Sequence, residues 1–235
     1  MIAQSASRSE RPTLGIQLGS AAESLGLNLS DTQSGQLLDF VALLARWNRT
    51  YNLTAVRDPA AMLTQHVVDC LAAVPALRRR LPGPQRVLDV GSGGGLPGVV
   101  WAIVDRELDV TCVDSVGKKA AFIRQAAATL QVGNLRSEHA RVQELDAPAF
   151  DIVTSRAFAS LPEFVALTGE LLKHHGVWLA MKGKLPLDEI SDLPGSVQAF
   201  HVERLEVPGL DAERCLIWMR KTAPIQAMKE SGRLQ

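Results

Sequence analysis

Arg86-Val-Leu-Asp-Val-Gly-Ser-Gly-Gly-Gly-Leu-Pro-Gly98 is the stretch that decides the fold. Residues 86–90 have the character of a buried strand and run into Gly91, Gly93, Gly94 and Gly95. A further glycine-ending turn follows at Gly98, and the acid Asp89 stands two residues before the first glycine. Another apolar run, Val110 to Val113, closes on Asp114. Strand, glycine turn, helix, strand, acid is the layout of a nucleotide-binding βαβ unit.

Outward from that unit, strands and helices alternate. The pattern predicts strands at 86–90, 109–114, 134–138, 150–155 and 176–181, and helices at 97–104, 118–131 and 161–174. Ser160 and Glu163 frame the last helix as a capping box. Two more strands, about 197–207 and 213–220, flank Pro208-Gly209 as an antiparallel pair. This predicts a mostly parallel, seven-stranded α/β sheet with helices on both faces, spanning 83–220. Upstream, Ser30 to Gln33 reads as a capping box opening a helix that presents Leu37, Leu38, Val41, Leu44 and Ala45 on one face. Asp58-Pro59 opens a second helix. Residues 30–82 are therefore expected to form a small helical front piece. Residues 1–29, rich in Ser, Gly and Ala, are expected to be poorly ordered, and 221–235 to be a polar tail.

The chain has 235 residues, 46% of them hydrophobic, enough for one full core. Lys+Arg and Asp+Glu number 25 each, so any nucleic-acid site must be a local patch. Cys70, Cys112 and Cys215 lie far apart, with no zinc spacing and no even disulfide set. A cytoplasmic, reducing setting is expected, without metal or membrane. No apolar signal region or run of eighteen apolar residues stands out.

Two cofactor classes fit the glycine loop. Gly93-Gly-Gly95-Leu-Pro-Gly98 matches the dinucleotide pattern GxGxxG. Asp89-Val-Gly91-Ser-Gly93-Gly-Gly95 matches the DxGxGxG pattern of S-adenosylmethionine (AdoMet) binders. A dinucleotide demands a pyrophosphate at the helix N-terminus. AdoMet carries an ammonium instead, which Asp89 is placed to hold directly or through water, whereas Asp89 would repel a pyrophosphate. Asp114 suits the ribose hydroxyls of either class.

The flanking blocks are more specific. They comprise Trp47-Asn-Arg-Thr-Tyr-Asn-Leu-Thr54, Arg57-Asp-Pro59, His66-Val-Val-Asp69, Asp114-Ser-Val-Gly-Lys-Lys119, Phe122-Ile-Arg124, Ala140-Arg-Val-Gln143 and Ser155-Arg-Ala-Phe-Ala159. This series resembles the RsmG (GidB) family of bacterial methyltransferases acting on small-subunit ribosomal RNA. The resemblance implies a class I methyltransferase fold, AdoMet as donor, and N7 of guanine 527 in the 530 loop of 16S rRNA as acceptor, on free rRNA or the 30S subunit. It also implies that Gly91, Leu96, Asp114, Ser115, Val142, Gln143 and Arg156 form the cofactor site, to which the glycine pattern adds Gly93. Gln143 stands where the family more often has Glu, and Cys70 where Ser is frequent.

The chemistry agrees with that implication. Guanine N7 carries a lone pair and no proton, so no general base is required. The position after the fourth strand reads Ser155-Arg-Ala-Phe158, not the Asn/Asp-Pro-Pro-aromatic signature of exocyclic-amine enzymes. Cys112 lies within a strand and is expected to be core packing, not a C5-methylating nucleophile. Arg156 is expected to orient cofactor or target guanine, its competing role being an ion pair with the Asp151 loop. Arg141, Lys118 and Lys182 are expected at RNA phosphates, and Phe158 either against the target base or in the core. Arg78-Arg79-Arg80 either closes a helix or touches RNA. The competing functions are another AdoMet acceptor, a nicotinamide oxidoreductase, and a non-catalytic RNA-binding module.

Overall fold

The computed structural model describes the backbone of residues 2–156 and 158–222, and the side chains of these from Glu10 on. Seven strands form one sheet: β1 (Gln85–Val90), β2 (Leu108–Asp114), β3 (Leu135–His139), β4 (Phe150–Arg156), β5 (Leu172–Lys182), β6 (Val197–Arg204) and β7 (Cys215–Lys221). Their order is β3-β2-β1-β4-β5-β7-β6. The first five run parallel, and β7 pairs antiparallel with both β5 and β6. The sheet thus has the predicted mostly parallel form with a closing antiparallel pair.

Strand alternation divides the core in two. Val87, Val110, Cys112, Ile152, Leu179, Leu216 and Trp218 pack on one face, with α6 (Gly98–Val104), α7 (Gly117–Thr129) and the front helices. Leu88, Val90, Val113, Val153, Trp178, Ala180 and Ile217 pack on the other, with α8 (Leu161–Thr168). Because side chains alternate with period two, each strand assigns its residues to one face by parity.

The front piece comprises α1 (Ile2–Ser24), α2 (Asp31–Tyr51), α3 (Pro59–Met62), a π-helical turn at Leu63–Val68, α4 (Asp69–Leu71) and α5 (Val74–Arg80). Ser30 and Gln33 form a reciprocal capping box. The Gln33 amide also donates to the Ile103 and Val104 carbonyls at the end of α6, and Gln36 to Leu130 O at the end of α7. Two glutamines of one helix so satisfy the orphan carbonyls of two others. The apolar run Pro59–Arg80 has the length and composition of a membrane span, but most of it is buried within the protein. Desolvation by neighbouring helices serves it equally well.

Several expectations are corrected. Within the lead expected to be poorly ordered, the second half of α1 is tied down: it packs Leu18, Ala21 and Ala22 into the core, and Gln17 donates to Thr64 Oγ1 at 2.7 Å. The helical spacing is present at Leu14, Leu18, Ala21, Ala22 and Leu25, diluted by Ser and Gly. The predicted helix 161–174 ends at Thr168, and β5 starts at Leu172, which pairs with Phe150. A short helix, α9 (Leu187–Ser191), stands where none was expected. Of the tail, Lys221 belongs to β7 and the Thr222 amide donates to Ser196 O. Residues 223–235 lie outside the described residues.

Candidate active site

The site forms at the C-terminal ends of the parallel strands, as open α/β sheets require. Gly91, Gly93 and Gly95 have φ of 64°, 56° and 78°, which favours glycine. At Gly91 a Cβ would also overlap the Phe158 ring. All but one of the loop amides from Gly91 to Leu96 are spent internally. Gly91 and Ser92 donate to Val113 O, Gly93 to Asp114 Oδ2 at 2.9 Å, Gly95 to Ser92 O, and Gly98 to Asp89 Oδ2 at 2.9 Å. A pyrophosphate needs those amides free, and at α6 it would meet a buried carboxylate. The geometry therefore rejects the dinucleotide reading that the glycine spacing left open.

Beside the loop lies a cavity of about 430 Å³, within the range of small-molecule sites. Gly91, Asp114, Ser115, Arg141, Val142 and Gln143 line it, so six of the sequence-derived candidates converge. Phe158 and Leu167 close the α8 side, and Phe158 meets Phe164 edge-on at 6.4 Å. The family model for rRNA small subunit methyltransferase G (GidB) matches residues 33–217.

This chain belongs to the GidB family. Ribosomal RNA small subunit methyltransferase G of Paracidovorax citrulli is 58% identical over 219 residues, 88% of this chain and 90% of its own length. The namesake from Acidovorax sp. strain JS42 is 59% identical over 216 residues, 88% and 95% respectively. Two solved structures share the fold at low identity. TrmN from Thermus thermophilus has a TM-score of 0.53 at 21% identity, over 65% of this chain and 49% of its own. Burkholderia thailandensis 1,6-didemethyltoxoflavin-N1-methyltransferase, solved with S-adenosylhomocysteine, has 0.53 at 18%, over 83% and 92%. The GidB-family chain is a class I, AdoMet-dependent methyltransferase.

The residues present fit that donor. Asp114 is nearly buried at the cavity wall. Its two oxygens accept from the Gly93 and Val116 amides at 2.9 and 2.8 Å, with Lys119 Nζ 3.8 Å away. Each oxygen retains a lone pair for a ribose hydroxyl. The Gln143 side chain is exposed and lines the same cavity. Asp89 is fully buried, so it does not meet the ammonium directly. By parity with Val87 it points under α6, where it accepts from the Gly98 amide, and its Oδ1 has no hydrogen-bond partner. Burial pushes its carboxyl up to about 7, against the opposing pull of the Gly98 amide and Arg156.

Other candidates stand elsewhere. Leu96 is buried in the core beneath the loop and does not line the cavity. Arg156 has the parity of Ile152 and so faces the front piece, away from the cavity. Its Nη1 donates to Asp69 Oδ2 at 3.0 Å and Gln65 O at 3.1 Å, and its Nη2 to His66 Nδ1 at 3.3 Å. The competing role with Asp151 is corrected, because Asp151 pairs with Lys173 at 2.8 Å. Lys182 has the parity of Ala180 and faces α8. It donates to Ala159 O at 3.0 Å and Glu189 Oε2 at 2.9 Å, tying α9 to the Phe158 loop, so it is committed inside the protein and not to phosphate. Lys118 is exposed at the start of α7. Arg141 is exposed and, among the described residues, has no ion-pair partner.

The Arg78-Arg79-Arg80 run is likewise committed: Arg78 to Val104 O and Asp105, Arg79 to Glu203, Arg80 over the Trp218 ring. Trp47 packs on Tyr51 and Phe122. Asn48 is buried, donates to Val56 O and accepts from the Thr54 amide, so the Trp47–Thr54 block staples the loop after α2. His66 Nε2 meets Thr54 Oγ1 at 2.7 Å, while burial and Arg156 lower its pKa. Burial pushes the Cys112 thiol up, as its core placement demands. Sequence reasoning missed Lys119, which faces the cavity one position after Lys118. It also missed Arg214, whose Nε donates to Asp69 Oδ1 at 2.7 Å. For Arg214 the signal available was parity with Leu216 and Trp218.

Proposed function

We propose that this protein transfers a methyl group to N7 of a guanine in small-subunit ribosomal RNA, guanine 527 of the 530 loop by the family resemblance. The names of its GidB-family relatives support a ribosomal RNA acceptor. The N7 assignment is carried by one observation: the carboxyl, thiol and imidazole groups named as candidates near the donor loop are each buried or hydrogen-bonded within the protein. Both nitrogens of His66 are hydrogen-bonded, Asp89 and Cys112 are buried, and Asp114 holds two backbone amides. Such a site suits an acceptor that has a lone pair and no proton to lose.

AdoMet, when bound, supplies a methyl group activated by its sulfonium. The chain's own part is alignment. Gly91, Asp114 and Phe158 line the cavity that would hold the donor, leaving the cavity mouth to the acceptor. Arg141 offers charge at that mouth. N7 lies in the deep, narrow major groove of A-form RNA, so the guanine must enter from a loop or displaced from its stack. The test is transfer of labelled methyl from AdoMet to 30S subunits or 16S rRNA lacking the modification, followed by mapping of the labelled base. Label at guanine N7 supports the reading. Label on another atom, or only on protein or metabolites, overturns it.

A further inference from the structure

Asp69 is a buried carboxylate with two cations on it. Its Oδ2 accepts from Arg156 Nη1 at 3.0 Å and its Oδ1 from Arg214 Nε at 2.7 Å. The acid comes from the front piece, Arg156 from the end of β4, and Arg214 from the residue before β7. Each guanidinium has a second anchor on a backbone carbonyl, Gln65 O for Arg156 and Glu213 O for Arg214. Only 3% of the acid's side chain is exposed, against 22% for Arg156 and 26% for Arg214. The acid is thus hidden and the cations reach solvent.

A buried carboxylate needs one guanidinium to be neutralised. A second brings two like charges together and leaves the trio with a net positive charge, which stability alone does not call for. Arg156 Nε and Arg214 Nη2 have no protein acceptor among the described residues. Fixed forks with spare donors and one surplus positive charge match a phosphodiester monoanion. The cluster also adjoins the helix that follows the donor loop, because the carbonyl of Cys70, next to Asp69, accepts from Trp101 Nε1 of α6 at 3.0 Å.

We propose that Asp69 is a positioning residue that holds Arg156 and Arg214 together as a clamp on a phosphodiester of the RNA substrate. The inference rests on the reading of this chain as an RNA methyltransferase. The test is D69N in the full chain, with unmethylated 30S subunits as acceptor and calorimetry for AdoMet. The KM for 30S should rise roughly tenfold or more, with a shallower salt dependence and unchanged AdoMet affinity. In an R156A/R214A background, adding D69N should cost nothing further. A wild-type KM in D69N overturns the clamp, as does an equal extra loss in the arginine-free background or a matching loss of AdoMet affinity. If D69N does not fold, R214K takes its place, keeping the charge but not the fork. A raised 30S KM with intact AdoMet binding supports the clamp, and an unchanged KM overturns it. Wild-type protein that labels no rRNA overturns the functional reading and the clamp with it, whereas an active wild type with an indifferent D69N overturns the clamp alone.

Discussion

Replacing Asp89 by asparagine should flatten the pH dependence of stability. The folded protein holds this carboxyl at about 7, against 3.8 ordinarily, because burial disfavours its charge. Below pH 3.8 the group is protonated in both states and carries no penalty. Between those values the unfolded chain ionises while the folded protein keeps its proton, so stability falls as pH rises. Above about 7 the whole penalty is present. At about 1.4 kcal/mol per pKa unit the loss is on the order of 4 kcal/mol. Asparagine can still accept from the Gly98 amide, but its buried NH2 costs about 1–3 kcal/mol at every pH. Urea unfolding of both proteins from pH 4 to 8 separates the two effects. D89N should start less stable than wild type and gain on it by roughly 4 kcal/mol across the range. A difference between the two proteins that stays constant with pH would refute the argument.

Three further outcomes follow from the geometry. G91A meets both a φ of 64° and the Phe158 ring. It should cost about 1–3 kcal/mol of stability and weaken AdoMet binding by calorimetry, and wild-type affinity would contradict the cavity assignment. K182A and E189A should each lose about 1 kcal/mol and the double variant less than their sum. A double-mutant cycle in urea reads this, and full additivity would show that the Lys182–Glu189 tie contributes nothing. R141A should keep its melting temperature and AdoMet affinity while the log–log salt slope of rRNA binding falls by about one, and an unchanged slope would remove Arg141 from the RNA face.

Much of the candidate cofactor cavity was legible because its determinants are local. The loop's glycines must turn within a few residues, Asp114 must end its strand, and Val142 and Gln143 must follow the next one. These sit close in sequence and converge on one cavity. The failures were of other kinds. The sequence leaves open whether Asp89 holds the donor's ammonium directly or through water, and strand parity, which sends it under α6, removes the direct contact. The α1 stripe was diluted by small residues, and α9 is too short to show a period.

By itself, the sequence determined the βαβ order, the seven strands, the donor loop and the family blocks, because each rests on short-range pattern and backbone demand. Only the tertiary structure decided which cations are free. Arg156 and Asp69 are 87 residues apart, and Asp69 and Arg214 are 145 apart. Lys182 meets Glu189 only because a helix folds back beneath the Phe158 loop. A charge looks the same in sequence whether it faces solvent or a buried partner. The difference is made by desolvation and by the neighbour that answers it, and both exist only once the front piece has closed on the sheet.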